Sequence, residues 1–178
     1  PPSNCVELHL IGADGYDASI PAADYFDAPV WLIWQMNGEP LSVDHGAPAR
    51  LLVPGRYGIQ NLKWIEEIRY ATSVIEAYWD RQGWSHLAPY LVNGFIMVPT
   101  FGETVGSPVT VLGTAFAGSD PIAKVEFTDN GGDSWSDCEI DYSPGADIWT
   151  LWRMEWHTSA GSWEIQVRVT TESGSVTV

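Results

Sequence analysis

Between positions 45 and 81 the sequence gathers His45, Arg50, Arg56, Lys63, Arg69 and Arg81. The protein carries 8 Lys and Arg against 23 Asp and Glu, a formal net charge of −15. Five of the eight cationic side chains therefore fall in one stretch of an acidic chain. An island of positive charge whose local potential opposes the global one points to a bound anion. Forked arginine donors beside the point charge of a lysine suit phosphate or sulfate. The densest part runs from Met36 to Trp64, MNGEPLSVDHGAPARLLVPGRYGIQNLKW, where Gly, Pro and apolar runs bring the chain back on itself.

The rest of the composition narrows the function classes. At 178 residues the chain is long enough for one large domain or two modest ones. An apolar content of 45% with ten Trp supports packed cores rather than disorder. The strong negative charge argues against nucleic acid as a partner, because that needs a basic face. No apolar run reaches the length of a membrane span, and Pro-Pro-Ser-Asn at the start does not resemble a signal peptide. Cys5 and Cys138 show no metal-ligand spacing and read as two half-buried thiols. His9, His86 and His157 have no partners at ligand spacing and are assigned no role.

The elements that must position the basic residues are mixed in type. Residues 5–11 alternate as a strand, with Val6, Leu8 and Leu10 on one face, and Gly12 to Gly15 break it. Pro21 fits the first turn of a short helix through about Phe26. Val30 to Met36 is a near-continuous apolar run, consistent with a buried strand. Asn37-Gly38 supplies a tight hairpin turn, and Ala49 to Val53 reads as a strand closed by Pro54-Gly55. Leu62, Trp64, Ile68 and Tyr70 keep a period of two, which favours a further strand. Ser73 with Glu76 forms a capping box for a helix that presents Ile75, Tyr78 and Trp79 and ends at Gly83. The expected first half, residues 1–94, is thus mixed α and β.

After Asn93-Gly94 charges thin out, Thr, Ser and Val rise, and helix signals vanish. Strands are expected over Ile96–Val98, Val109–Phe116, Ala123–Thr128, Ser136–Ile140, Trp149–Trp156 and Trp163–Thr171. Turn signals separate them, such as Gly118-Ser119-Asp120-Pro121, Asn130-Gly131-Gly132 and Ser143-Pro144-Gly145. Short strands at this spacing read as an immunoglobulin-like β-sandwich over residues 95–178, and the whole chain as α+β.

The run Met36-Asn37-Gly38-Glu39-Pro40-Leu41, then His45-Gly46, Pro48, Arg50, Val53-Pro54-Gly55, Gly58 and Lys63-Trp64, keeps both order and spacing with a known signature. So do Gly12-Ala13-Asp14-Gly15-Tyr16 and Ser19-Ile20-Pro21 before it and Tyr78-Trp79 after it. Residues 5 to about 85 resemble the later part of the cofactor domain of the sulfite oxidase family of molybdenum-pterin oxidoreductases. The hairpin Lys124-Val125-Glu126-Phe127-Thr128-Asp129-Asn130-Gly131-Gly132-Asp133-Ser134-Trp135, with Trp149 and Trp152-Arg153, resembles the family's dimerisation domain. Asn130 stands where the family more often has Asp.

This resemblance implies that His45 and Arg50 contact molybdopterin, with Arg50 on its phosphate, that Lys63 is a further contact, and that Tyr16 lies on the loop closing over the cofactor. Read from the residues alone, His45 is a loop histidine, Arg50 pairs with Asp44, Lys63 faces water at a strand edge, and Tyr16 belongs to a plain turn. Arg81 and Trp84 mark the expected substrate side. Sulfite-oxidising members carry a Tyr near Trp84, and a Trp there offers only an indole N–H, so the resemblance stops short of sulfite as the substrate. The family's molybdenum-binding Cys lies well upstream of the Gly12–Tyr16 loop, and Cys5 is too close to that loop to match it. The resemblance therefore implies part of a larger enzyme: it lacks an upstream part, pairs as a homodimer through the sandwich, holds no molybdenum by itself, and suits a periplasmic or other extracytoplasmic site. The parent reaction expected is oxygen-atom transfer or a related two-electron step. The competing expectation is a noncatalytic module whose acidic sandwich binds protein or glycan.

Overall fold

The computed structural model describes residues 2–27 and 29–178. The chain divides into two compact units, one reaching to Pro89 and the other spanning Tyr90–Val178.

In the first unit, β1 (Glu7–Gly12), β2 (Asp17–Pro21) and β7 (Ile65–Ala71) form an antiparallel sheet of order β2–β1–β7. A six-residue helix, α1 (Ala22–Asp27), follows β2 directly. The chain then makes two small antiparallel ribbons. β3 (Trp31–Ile33) pairs with β6 (Arg50–Leu52), and β4 (Gln35–Met36) pairs with β5 (Glu39–Pro40). Asn37 and Gly38 take φ of 54° and 85° to turn between β4 and β5. Leu8, Leu10, Ala18 and Ile20 from the sheet pack with Leu51, Val53 and Leu62 into one core. Glu7, His9, Asp17 and Ser19 come off the opposite face of β1 and β2, as a period of two requires.

Two expectations for this unit fail. The unit is β-rich, and α1 is the one α-helix among the described residues. The capping box at Ser73 and Glu76 starts no helix. Instead the N–H of Ile75 donates to Glu7 Oε2 at 2.8 Å, and that of Ala77 to Asp80 Oδ2 at 2.9 Å. A helix capped at Ser73 would direct the Ala77 N–H to Ser73 O, but Asp80 has claimed that donor while Glu7 ties Ile75 to the sheet, so competing side-chain contacts override a weak local preference. Only a 3-10 turn, Asp80–Gln82, forms, and Gly83 closes it with φ of 83°. Val30 to Met36 is not buried either. Trp34 is 63% exposed, with Trp31, Leu32 and Met36 also exposed, because β3 pairs only with β6 and β4 only with β5, each in a ribbon of two strands.

The second unit consists of two antiparallel sheets. β8 (Asn93–Val98), β9 (Val109–Phe116), β13 (Thr150–Trp156) and β12 (Glu139–Tyr142) make one, in the order β12–β13–β9–β8. β10 (Ile122–Thr128), β11 (Ser136–Asp137), β14 (Gln166–Thr171) and β15 (Val176–Thr177) make the other, in the order β11–β10–β14–β15. Val111, Ala115, Trp152 and Trp156 from the first face Val125, Phe127, Val167 and Val169 from the second in a shared core. The single strand expected over Ser136–Ile140 is split. Residues on either side of Cys138 join different sheets, while the Cys138 N–H bonds to Val125 O at 2.9 Å. Burial pushes the Cys138 thiol up to about 12, with Asp137 and Glu126 adding to it. A thiol held protonated in this way is inert.

Candidate functional site

The loop between β5 and β6 is built around Gly46. Ser42 caps a 3-10 turn, Val43–His45, and Gly46 ends it with φ of 105°, a left-handed conformation that suits glycine. His45 Nδ1 shares a hydrogen bond with Ser42 Oγ at 2.7 Å. Arg50, at the start of β6, turns back onto this loop. Its Nη1 donates to His45 O and its Nη2 to Asn61 O, each at 3.3 Å. Lys63 closes the other side, with Nζ donating to Asp44 O at 2.9 Å and lying 4.6 Å from the centre of the Trp64 ring. The Trp64 indole donates to Val43 O at 2.7 Å. His45, Arg50 and Lys63 are thus all anchored to the same short loop.

The charges of Arg50 and Lys63 are uncompensated. Among the described residues, six of the eight Lys and Arg make ion pairs: Arg56 with Asp24, Arg69 with Glu67, Arg81 with Asp17, Lys124 with Glu126 and Asp137, Arg153 with Glu139 and Asp141, and Arg168 with Glu126. Arg50 and Lys63 bond only to neutral backbone carbonyls. The alternative pairing of Arg50 with Asp44 does not occur: the guanidinium reaches His45 O, and Asp44 offers its carbonyl to Lys63. Arg50 Nε is buried and has no partner among the described residues. A buried charged donor left unpaired is costly and is an opening for a ligand acceptor. Lys63 keeps two further N–H donors beyond its bond to Asp44. This donor set suits a phosphate group.

Tyr16 is positioned differently. Its N–H caps an Asx turn on Asp14 Oδ1 at 3.0 Å, and its hydroxyl donates to Ile59 O at 2.7 Å. Its ring lies 5.7 Å from that of Tyr78. Burial, then the negative charges of Asp17, Asp80 and Asp14, push its phenol up to about 12. The Tyr16 loop still meets the basic loop through the backbone: Ala13 N–H bonds to Trp64 O at 2.9 Å. Arg81 is engaged internally, by Asp17 at 2.8 Å and by the carbonyl of Glu76. Burial opposes ionisation of Asp17, but hydrogen bonds from Arg81 and His9 outweigh it and hold that carboxyl below its usual range. Trp84 packs at a tilt of 48° against Trp79, with centroids 4.7 Å apart, and remains exposed.

Sequence reasoning passed over three supports of this region. The Asn61 side chain receives Val53 N–H at 2.7 Å and donates to the carbonyls of Arg56 and Tyr57, fixing the turn whose own carbonyl holds Arg50. An Asn closing a turn opened by Gly55 and Gly58 was the available signal. Trp64 was read as a strand residue, yet takes φ of 52° and turns its indole under the loop. His86 bonds to Glu7 across 79 positions, and no spacing rule reports such a contact.

Two family models cover nearly all of the chain. Residues 3–79 match "Oxidoreductase molybdopterin binding domain" and residues 88–178 match "Mo-co oxidoreductase dimerisation domain". Human mitochondrial sulfite oxidase is 30% identical over 177 aligned residues, covering 85% of this chain and 32% of its own length. Spinach NADH nitrate reductase is 29% identical over 180, covering 80% of this chain and 19% of its own. The chain therefore spans about a third or less of these relatives. The sulfane dehydrogenase SoxCD of Paracoccus pantotrophus superposes with a TM-score of 0.86 over 98% of this chain and 48% of that one, at 23% identity, a likeness of fold.

Proposed function

This chain belongs to the sulfite oxidase family of molybdenum-cofactor oxidoreductases, and we propose that its first unit supplies the anion-binding part of the cofactor site. The observation that carries this reading is the pair Arg50 and Lys63, left without carboxylate partners in a chain of 23 acidic residues. In this assignment Arg50 directs its unpartnered Nε to the pterin phosphate, Lys63 and His45 flank it, and Gly46 lets the backbone come close. Tyr16 contributes a phenol that remains protonated at neutral pH. Trp84 and Arg81 border the substrate side, Arg81 by fixing Asp17 beside Tyr16 and Trp84 by its exposed indole. When bound, the cofactor supplies two-electron redox chemistry, and we place the parent reaction in oxygen-atom transfer or a related step.

The two facing sheets of the second unit support an immunoglobulin-like assignment, residues 95–178 being the expected span. We further propose that this unit pairs two copies of the chain. On the sheet β12–β13–β9–β8, exposed Tyr142, Leu151 and Phe95 lie in one cross-strand row, Tyr142 beside Leu151 and Phe95 on the far side of Thr114, a largely apolar row of the kind that marks interfaces.

A phosphate titration of the intact chain tests the first proposal. Amide resonances of Gly46 and Lys63 are expected to shift with saturation, more weakly as salt rises. Shifts that persist unchanged in Arg50→Ala would remove the assignment.

A further inference from the structure

His86 was given no role by the sequence, yet both of its ring nitrogens face carboxylates. Nε2 lies 2.7 Å from Glu7 Oε1 and Nδ1 lies 3.0 Å from Asp80 Oδ2. Glu7 sits on β1 and is only 2% exposed. Ionised carboxylates accept and cannot donate, so two such contacts require both ring nitrogens to carry protons. A neutral imidazole has one N–H, and one of the two contacts would then set lone pair against lone pair.

The carboxylates on either side of His86 also hold the backbone. Glu7 Oε2 receives the N–H of Ile75, and Asp80 Oδ2 receives that of Ala77. The ends of the segment are tied independently of the imidazole. Ser19 Oγ donates to Ile75 O at 3.1 Å, and Gln60 Nε2 donates to His86 O at 2.7 Å. Arg56, paired with Asp24, donates to Leu87 O at 2.6 Å. Between those ties lie Tyr78, packed on Tyr16, and Trp79, packed on both Tyr78 and Trp84.

We propose that His86 is a protonation-controlled latch. As imidazolium it bridges Glu7 and Asp80 and holds the Ile75–Trp84 segment against the sheet, which sets Tyr78 against Tyr16. As neutral imidazole it releases the middle of the segment, while Ser19, Gln60 and Arg56 keep the ends in place. Glu7 from β1 and Asp80 from the 3-10 turn are the charged groups facing the ring. Beyond them lie Arg81 with Asp17, itself bonded to His9 at 2.9 Å, and the pair Arg56–Asp24. Burial opposes the charge on His86, but hydrogen bonds to Asp80 and Glu7 outweigh it and raise its pKa above the usual imidazole value. The sign follows: the latch is fully closed below the ordinary imidazole value and is lost as pH rises through the raised one. The inference rests on these contacts alone and stands whether or not the loop around Gly46 binds an anion.

The test is a histidine NMR titration of the intact 178-residue chain, with amide hydrogen exchange corrected for its intrinsic pH dependence. His86 is expected to titrate above about 6.5, the unperturbed value. Protection of the Ala77 amide, in the released middle, should fall by about tenfold through that titration, as the loss of a charge-assisted bond allows, while that of Ile75, at the end tied by Ser19, stays. The contact between the Tyr16 and Tyr78 rings should weaken with it, and protection in the core strands should stay constant. His86→Gln should make the profile flat, and His9→Gln should leave it intact. The latch is overturned if His86 titrates at or below 6.5, if the Ala77 amide keeps its protection, if the whole sheet opens together, or if His9→Gln removes the step.

Discussion

A Cβ built on Gly46 would stand 3.0 Å from both Cβ and Cγ of Lys63 and 3.1 Å from Cβ of Arg50. The turn that follows His45 is therefore closed by the stems of the two cations whose charges have no carboxylate partner. Gly46 also sits at φ of 105°, where a side chain is strained whatever the space. Gly46→Ala should accordingly cost about 1–2 kcal/mol of stability, read as a lower denaturation midpoint with an unchanged slope in urea. It should also push Lys63 away from Asp44. A variant as stable as the parent would show that the loop is looser than described.

Tyr16 gives a prediction at high pH. With its phenol raised to about 12 against an ordinary value near 10, the folded state holds a proton that the unfolded chain gives up. Stability should fall as pH rises from about 10 towards 12, and Tyr16→Phe should remove that component. Ultraviolet titration of the phenols reads it directly. A Tyr16 that ionises together with exposed tyrosines would refute the burial argument.

Asp17 predicts the opposite end of the scale. Its folded value is lowered, against its burial, by Arg81 and His9, so its contribution is present above the usual carboxylate range and is lost on acidification. Arg81→Met should raise the pH at which the first unit loses stability in acid. An unchanged acid midpoint would mean that water holds this carboxylate as well as Arg81 does.

Gly113 is the matching probe of the second unit. A Cβ there would meet Trp152 Cζ2 at 2.1 Å and Phe95 O at 2.2 Å. Trp152 is 1% exposed in the core and has little room to move. Gly113→Ala should destabilise by about 1–3 kcal/mol, as overpacking does, with the loss seen in the near-ultraviolet signal of the core tryptophans. A cost under about 0.5 kcal/mol would contradict the packing described.

The strands of the second unit were readable because antiparallel strands with one buried face announce themselves by alternation, and because Asn130-Gly131-Gly132 and its like mark the turns. What failed was non-local. The 73–83 segment carries a capping box and a closing glycine, but Glu7, 68 residues away, ties the Ile75 N–H to the sheet, and Asp80 takes that of Ala77. Trp31, Trp34 and Met36 are as apolar as a core strand, and only the two-stranded pairings of β3 with β6 and of β4 with β5 reveal their exposure. The basic loop was visible in residue types and turn residues. That six other cations would find carboxylates, leaving Arg50 and Lys63, depends on which acids the fold brings near and was not written in any spacing.

The most direct measurement is the pterin and molybdenum content of the proposed parent enzyme, compared between the unaltered sequence and Arg50→Ala/Lys63→Ala. Arg153→Ala, which removes a surface ion pair in the second unit, serves as the control. The account predicts that the double variant folds, keeps its β signature by circular dichroism, and purifies with at least a tenfold lower pterin content, while the control retains it. Full pterin occupancy in a folded double variant would contradict the assignment of these two residues to the cofactor.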